Sequence, residues 1–108
     1  MYNLQELLGK TVTIHTIMGQ EFVAVLTGVS EERDIVTVRS PKQVVIQNNE
    51  VCLVPYALTG VCDEVHLRVA GLLAIMPTLS ETDQDYQAYI QEERSNQTTD
   101  ADAQEVEA

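Results

Sequence analysis

The order of apolar and polar residues predicts a series of short strands over the first two thirds of the chain. Residues 11–17 alternate polar with β-branched side chains, which is the period-two pattern of a strand buried on one face. Residues 21–29 are apolar on both faces and therefore predict a strand that is buried on both sides or bends. Between them, Met18-Gly19-Gln20 has the composition of a tight turn. We therefore expect two strands joined by a short turn.

Five further β-like segments follow, separated by turn-forming residues. Pro41 lies between the first two, residues 35–39 and 43–47, and predicts a break at a sheet edge or a bulge. Asn48-Asn49 predicts a hairpin turn before the next strand. The remaining segments are residues 50–58, 64–68 and 72–76. Together these patterns predict a mainly β fold, built on a strongly bent antiparallel sheet.

Helical patterns flank the predicted sheet. Asn3 and Glu6 have the spacing of a capping box, so residues 3–8 predict one or two helical turns. After the sheet, large side chains recur at helical spacing and predict an added C-terminal helix that ends near Arg94. The residues of this helix stripe are Tyr86, Tyr89 and Ile90.

The charge of the chain is strongly negative and unevenly distributed. The 108 residues carry a net charge of −11, from 17 acidic and 6 basic residues. Residues 77–108 hold nine of the acids and only one base, whereas residues 1–76 have a net charge of −3. Binding to phosphate backbones depends on Lys and Arg, so this composition disfavours sequence-independent nucleic-acid binding. It does not exclude a small local site.

Length and composition predict one folded domain with a C-terminal extension. A single hydrophobic core suits 108 residues, of which 44% are hydrophobic. We divide the chain into a β domain over residues 1–76, a helix over residues 77–94 and an acidic tail over residues 95–108. The tail has four acids and Val106 as its one large aliphatic side chain, so we predict that it is disordered.

The sequence gives no sign of a membrane span or of export. Its apolar runs are shorter than the roughly 18 residues that a membrane span needs. The first six residues lack the positive flank and apolar centre of a signal peptide. Cys52 and Cys62 form no CxxC pair and suit a reducing compartment. We therefore expect a cytoplasmic protein.

Two stretches resemble the motifs of the Sm and Sm-like family. The first has the pattern Leu8-Gly9-Lys10-x-Val12-x-Ile14-x-x-x-x-Gly19-x-Glu21-x-x-Ala24-x-Leu26-x-Gly28. The second is Val65-His66-Leu67-Arg68-Val69-Ala70-Gly71-Leu72-Leu73-Ala74-Ile75, with Val69 where the family has a Gly after the Arg. A short N-terminal helix followed by five bent strands is the order of elements in this family. The resemblance therefore implies an Sm-like fold over residues 3–76, a small open barrel.

A second register of the resemblance remains open. Residues 45–55 are also similar to the last two strands of the bacterial Sm-like RNA chaperone. We favour the longer register because it assigns every β-like segment, including the apolar residues 65–76. The phrases Thr13-Ile14-His15-Thr16 and Pro55-Tyr56…Thr59-Gly60 also resemble small Sm-like proteins of phage origin.

The resemblance implies a closed homo-oligomeric ring, from a pentamer to a heptamer, in which strand four of one subunit pairs with strand five of the next. Physical chemistry favours association as well, because a core of about 76 residues is marginal and open apolar strand edges associate or aggregate. We expect the helix stripe to dock on the protein's own ring, with recruitment of a partner protein as the alternative. The expected subunit-interface residues are Val65, Leu67, Leu72, Leu73 and Ile75.

The resemblance also implies a place for RNA. In RNA-binding Sm proteins a uracil stacks on an aromatic side chain after strand two, is hydrogen-bonded by an Asn two residues later, and is backed by the Arg of the second motif. The corresponding residues here are Glu32, Asp34 and Arg68. Glu32 has no stacking face and Asp34 has no amide donor, so we predict a non-standard, weakened uridine pocket. Arg68 either contacts RNA or pairs with Asp34 across a subunit junction.

The sequence does not indicate an enzyme, a cofactor or a metal. His15, His66, Cys52 and Cys62 are residue types that bind metal, but only Cys62 and His66 have a tolerable spacing and no second pair supports them. Adjacent acids such as Glu31-Glu32 point apart on a strand, which suits solvated faces better than acid/base chemistry.

Two functions compete. The resemblance favours an RNA-associated binding ring, whereas the acidic composition favours a protein-binding scaffold that has kept the ring and lost the RNA pocket. We place the RNA-associated ring first. Lys10 and His15, on or next to strand one, are further candidates for RNA contact on a ring face, although alternation more simply places His15 at a solvated surface.

Overall fold

The computed structural model describes residues 4–107, and it describes side chains through Arg94. The chain forms two units, Met1–Thr78 and Leu79–Ala108. The first unit contains the sheet, and the second contains the C-terminal helix.

The first unit is a six-stranded antiparallel sheet with two single-turn 3-10 helices, Leu4–Leu7 and Val69–Gly71. Five strands follow one another in the order β4-β3-β2-β1-β6, and β5 pairs with β3 off this path. This architecture confirms the mainly β class and the bent antiparallel sheet. The strands are β1 (Thr11–Thr16), β2 (Glu21–Ser30), β3 (Ile35–Gln47), β4 (Glu50–Pro55), β5 (Val65–Arg68) and β6 (Leu72–Pro77).

The core is one cluster of buried apolar side chains, and it follows the predicted periodicities. In β1, Val12 and Ile14 are fully buried and alternate with partly exposed polar residues, as period two requires. In β2, the five residues from Phe22 to Leu26 are all buried, so both faces of this central strand are covered. The expectation of burial on both sides is therefore confirmed. Val36 and Val38 of β3 complete the same cluster.

The strand β3 runs through Pro41 without interruption. It is 13 residues long, so the expectation of two separate strands is wrong. In its pairing with β2, Val23 lies opposite Lys42 and Val25 opposite Arg39. Two residues of β3, Ser40 and Pro41, thus lie opposite Ala24 alone and form a bulge, and Ser40 has a positive φ of 52°. A bulge bends the strand and leaves the proline nitrogen outside the ladder, and this is the location that we predicted for the break.

The sheet has one strand more than the five implied by the resemblance, because the fourth strand is in two pieces. β4 pairs with the second half of β3, and β5 pairs with its first half. Residues 56–64 connect these two strands. The apolar segment after β5 then forms β6, which pairs with β1. This topology supports the longer register, since residues 45–55 form an internal hairpin rather than the last two strands.

The second unit is the helix α1 (Ser80–Glu107). Within the helix stripe, Tyr86 and Ile90 are buried and Tyr89 is half-buried. The docking of this stripe on the ring stays a prediction. α1 continues to Glu107, beyond Arg94, where we predicted the helix to end. The side chains of the predicted acidic tail, residues 95–108, are not described, and its disorder stays a prediction.

Candidate functional site

Two turns meet at one end of β3, and they contain three of the five residues predicted to contact RNA. Residues 31–34 connect β2 to β3, and Val69 begins the 3-10 turn after β5. The backbone N–H of Val69 donates to the carbonyl oxygen of Asp34 at 2.9 Å. Arg68 is paired with Ile35 across the β3–β5 ladder. We call this place the turn junction and define it as residues 31–34 together with residues 68–69.

The conformation of the β2–β3 turn follows from its sequence. Asp34 has a φ of 57°, in the left-handed region where Asp and Asn are enriched among non-glycine residues. Its N–H donates to the carbonyl of Glu31 at 3.3 Å, and the N–H of Arg33 donates to the Oγ of Ser30 at 3.4 Å. These bonds satisfy the turn backbone locally and leave the side chains at its rim in solvent.

The polar side chains of the turn junction are exposed and unpaired. Glu32, Asp34 and Arg68 are all exposed. Among residues 4–94, whose side chains are described, neither the Asp34 carboxylate nor the Arg68 guanidinium has a hydrogen-bond or ion-pair partner. Arg68 therefore does not pair with Asp34 within one chain. A carboxylate acceptor and a guanidinium donor stand at adjoining positions with their bonding capacity unused.

The other two RNA candidates lie away from the turn junction and apart from each other. Lys10 precedes β1 and is exposed, and its carbonyl accepts the N–H of Leu26 at 3.0 Å. His15 lies near the opposite end of β1, and its Nε2 is 3.0 Å from Oε1 of Glu21. His15 is partly exposed, as alternation predicted, but it already has a carboxylate partner. The structure therefore brings together Glu32, Asp34 and Arg68 and leaves Lys10 and His15 as separate positions.

Comparison with known proteins identifies this arrangement of strands. No protein-family model and no curated protein matches the chain at a significant level. Solved structures do match it. A heptameric archaeal Sm protein superposes with a TM-score of 0.50 and 17% identity, over 70% of this chain and 96% of that chain. The fold is Sm-like.

Two further archaeal structures give the same result. The P. aerophilum SmAP1 heptamer has a TM-score of 0.50 and 17% identity, over 71% of this chain and 89% of its own. The Pyrococcus abyssii Sm protein, solved in complex with a uridine heptamer, has a TM-score of 0.50 and 27% identity, over 69% of this chain and 92% of its own. The expected Sm-like fold is therefore confirmed. The resemblances to phage proteins and to the bacterial RNA chaperone stay predictions.

The five predicted interface residues divide into two groups in the Sm-like sheet. Leu73 on β6 is 73% exposed. The other four are partly buried and pack against the core of their own subunit, so a single chain already covers much of their surface. β6 pairs with β1 along one edge, and among the described residues its other edge has no strand partner. Leu73 is the member of the set that a neighbouring subunit could cover most. The four packed residues are Val65, Leu67, Leu72 and Ile75.

Sequence reasoning missed a polar cluster next to the turn junction. Nδ1 of His66 lies 2.9 Å from Oγ1 of Thr37, and its Nε2 lies 3.8 Å from Oε1 of Glu64. Alternation along β5 was the available signal, because Glu64, His66 and Arg68 are two residues apart and therefore lie on one face. All three are exposed, and that face of β5 is consequently polar.

Two cavities in the described part of the first unit lie away from the turn junction. One has a volume of about 300 Å³ and is lined by Gln20, Phe22, Gln43, Tyr56 and Ala57. The rings of Phe22 and Tyr56 form one of its walls, with centroids 5.2 Å apart and planes tilted by 57°. The other cavity, of about 140 Å³, lies beside the His15–Glu21 pair and Leu73. Neither contains the residues predicted to contact RNA at the turn junction.

The residues that could suggest other chemistry are dispersed. Cys52 is on β4, and the carbonyl of Cys62 accepts the N–H of Ser40 at 3.1 Å, which places that cysteine near the bulge. Among the described residues, no three His, Cys, Asp or Glu side chains cluster in a way that could hold a metal ion. In the same part of the chain, no helix combines the length and the apolar character of a membrane span.

Proposed function

We propose that this protein forms a homo-oligomeric Sm-like ring that associates with single-stranded RNA at the turn junction. One observation carries the proposal: the hydrogen bond from Val69 to Asp34 ties together the two turns in which the family resemblance places the RNA site. The Pyrococcus abyssii Sm protein, with 27% identity to this chain, was solved with a uridine heptamer, which supports RNA as the ligand. The proposal does not include an enzymatic activity.

Unused strand edges support the ring. Among the described residues, the outer edge of β6 and the outer edges of β4 and β5 have no strand partner. Open edges of apolar strands either associate in a defined way or aggregate. If β6 of one subunit pairs with the β4–β5 edge of the next, both edges are covered and Leu73 is buried. Two of the matched archaeal Sm proteins are heptamers, which supports a closed ring of this kind.

The chemistry of the turn junction supports weak binding with a non-standard site. Residues 31–34 include no aromatic side chain, so a base has no ring to stack on in this turn. Arg68 supplies a positive charge, but Glu32 and Asp34 oppose the approach of phosphate. We therefore expect RNA affinity in the micromolar range that falls steeply with salt.

A protein-binding scaffold is the second candidate, and an exposed apolar surface favours it. Ile46 and Val51 form a cross-strand pair at the tip of the β3–β4 hairpin and are 75% and 66% exposed. Leu58 and Val61, in the connection between β4 and β5, are 95% and 83% exposed. Exposed apolar side chains of this kind are typical of surfaces that contact other proteins.

Filter binding of the full chain to oligo(U) and oligo(A) across a salt series distinguishes the two candidates. We expect salt-sensitive binding that Arg68→Gln weakens, with a salt slope reduced by about one contact for each subunit that the RNA engages. Lys10→Gln makes the same change in charge at the candidate that lies away from the turn junction, and a smaller effect there would assign the main contact to the turn junction. No salt-sensitive binding of either oligomer at micromolar protein would exclude RNA association and favour the scaffold.

A further inference from the structure

Within one chain, the turn junction combines an unpaired carboxylate with an unpaired guanidinium, and these two groups define the chemistry of a ligand. Asp34 and Arg68 are exposed and, among the described side chains, do not bond to each other or to any other group. The Asp34–Val69 backbone bond of 2.9 Å fixes the two turns at adjoining positions. A ligand that fits must offer hydrogen-bond donors to the carboxylate and acceptors to the guanidinium.

The carboxylate selects among the four RNA bases by their donors. An ionised Asp is an acceptor only, and it pairs best with two parallel N–H groups. Guanine presents N1–H and the 2-amino group side by side. Uracil offers one N–H flanked by two carbonyl oxygens, which a carboxylate repels. Asp34 therefore disfavours the base that an Asn at this position would favour.

The guanidinium selects the same base, guanine, through the acceptors that guanine offers. The bidentate contact of Arg to O6 and N7 is the commonest specific contact to guanine. In single-stranded RNA both the Watson–Crick and the Hoogsteen edge of a base are open. Guanine thus offers two donors to Asp34 and two acceptors to Arg68 from edges that meet at O6. We infer that the turn junction binds guanosine in single-stranded RNA in preference to uridine. This inference rests on the proposed RNA association of the ring.

Fluorescence anisotropy with four heptaribonucleotide probes tests the inference on the full chain at low salt. Each probe has adenosines around one central nucleotide, which is guanosine, uridine, adenosine or inosine. We expect the guanosine probe to bind about tenfold more tightly than the uridine probe, as one good bidentate contact allows. Inosine lacks the 2-amino donor, so the inosine probe should lose several-fold of this advantage.

The variant Asp34→Asn tests which residue sets the preference. Asn tolerates the positive φ of this position, so the turn should fold as before. Its amide donates to a uracil carbonyl and accepts from N3–H, so the preference should reverse toward uridine. Asp85→Asn makes the same change in charge at an exposed position of α1, and it should raise affinity for all probes alike without altering their order.

The outcomes separate the inference from the function on which it rests. Tighter binding of the uridine probe, equal binding of guanosine and uridine, or an unchanged preference in Asp34→Asn would overturn the guanosine inference and leave RNA association standing. Failure of all four probes to bind at low salt would overturn the proposed function itself. A guanosine preference that Asp34→Asn reverses and Asp85→Asn preserves would support the inference.

Discussion

The two halves of β3 share one strand but differ in what surrounds them. Before the bulge at Ser40-Pro41, Val36 and Val38 are fully buried. This half of β3 pairs with β5, whose exposed face is polar. After the bulge, residues 43–45 are half-buried, and the hairpin ends in the exposed pair Ile46 and Val51. The first half belongs to the core and leads to the turn junction. The second half extends into an exposed apolar hairpin.

This difference shows how one strand can serve two purposes. A strand paired on both sides with a buried face is rigid, and it can hold the backbone of a neighbouring strand, such as that of Arg68 on β5, at a fixed position. The exposed hairpin contributes little to the core of one chain, so its apolar residues are free to contact another subunit or a partner. The bulge separates these regions by bending the strand between them.

The largest expected effect comes from placing a charge in each half. Val36→Asp puts a carboxylate at a fully buried position, where no partner can compensate the lost hydration, and should cost about 4 kcal/mol or more. Ile46→Asp places the same group at a position that is 75% exposed and should change stability by about 0.5 kcal/mol or less. Chemical denaturation measures both. Equal losses would mean that the hairpin is as buried in solution as the core, and would contradict the comparison.

A smaller effect is expected when the edge of the sheet is changed and the core is left intact. Leu73→Asp should dissociate the ring, because a carboxylate on the open edge of β6 opposes burial against a neighbour. The protomer should remain folded but less stable. Native mass spectrometry measures the change. Met18→Asp, at an 82% exposed position in the β1–β2 turn, is the matched control and should keep the ring. A wild-type protein that is a monomer at micromolar concentration would exclude the ring.

The bulge itself can be tested through Ser40. Its φ of 52° costs a non-glycine residue about 1 kcal/mol, so Ser40→Gly should be more stable than Ser40→Ala, which also lacks the hydroxyl, by a similar amount. Ser30→Gly, at the end of β2, is the control and should lower stability, because glycine adds chain entropy there without relieving strain. It also removes the hydroxyl that accepts the N–H of Arg33. Equal stability of Ser40→Gly and Ser40→Ala would contradict strain at this position.

The sequence predicted the periodic parts of this fold better than the non-local ones. Burial of β1 and β2 could be read directly, because alternation and continuous apolar runs report which faces are covered. The continuity of β3 could not, since a proline is tolerated in a strand only at an edge or bulge and the sequence does not show which neighbour is present. The two-piece fourth strand depends on pairing partners far away in sequence, which local patterns do not encode.

The candidate site shows the same limit. The family resemblance indicated Glu32, Asp34 and Arg68, and the structure brings their segments together. The resemblance could not show that Asp34 and Arg68 are unpaired in one chain, because that depends on side-chain positions across two turns. Sequence reasoning also missed the contact between Thr37 and His66, two residues that are 29 positions apart. Of the five predicted interface residues, burial sets Leu73 apart, and only three-dimensional packing determines that.

The smallest effect is expected from residues 95–108, which we predict to restrain RNA binding without contributing to folding. The segment has four acids and no base, so it raises the negative potential near the ring. The predicted resemblance to the bacterial Sm-like RNA chaperone implies the same role, in which an acidic tail mimics nucleic acid and competes for a basic face. A flexible tether of about a dozen residues reaches tens of ångströms. It could therefore visit Lys10 and Arg68, which are exposed, whereas Lys42 is buried at 5% exposure and is a poor target.

Deleting residues 95–108 should raise RNA affinity a few-fold at low salt and leave the melting temperature nearly unchanged. The gain should shrink as salt approaches about 0.1 M, where the screening length falls to about 10 Å. A variant of full length with all four acids neutralised tests charge alone and should reproduce the gain; its changes are Asp100→Asn, Asp102→Asn, Glu105→Gln and Glu107→Gln. Equal affinity in all three proteins would reduce the segment to a solubilising role. A large fall in melting temperature on deletion would instead mean that the segment packs against the folded protein, because an unpacked segment contributes no contacts to lose.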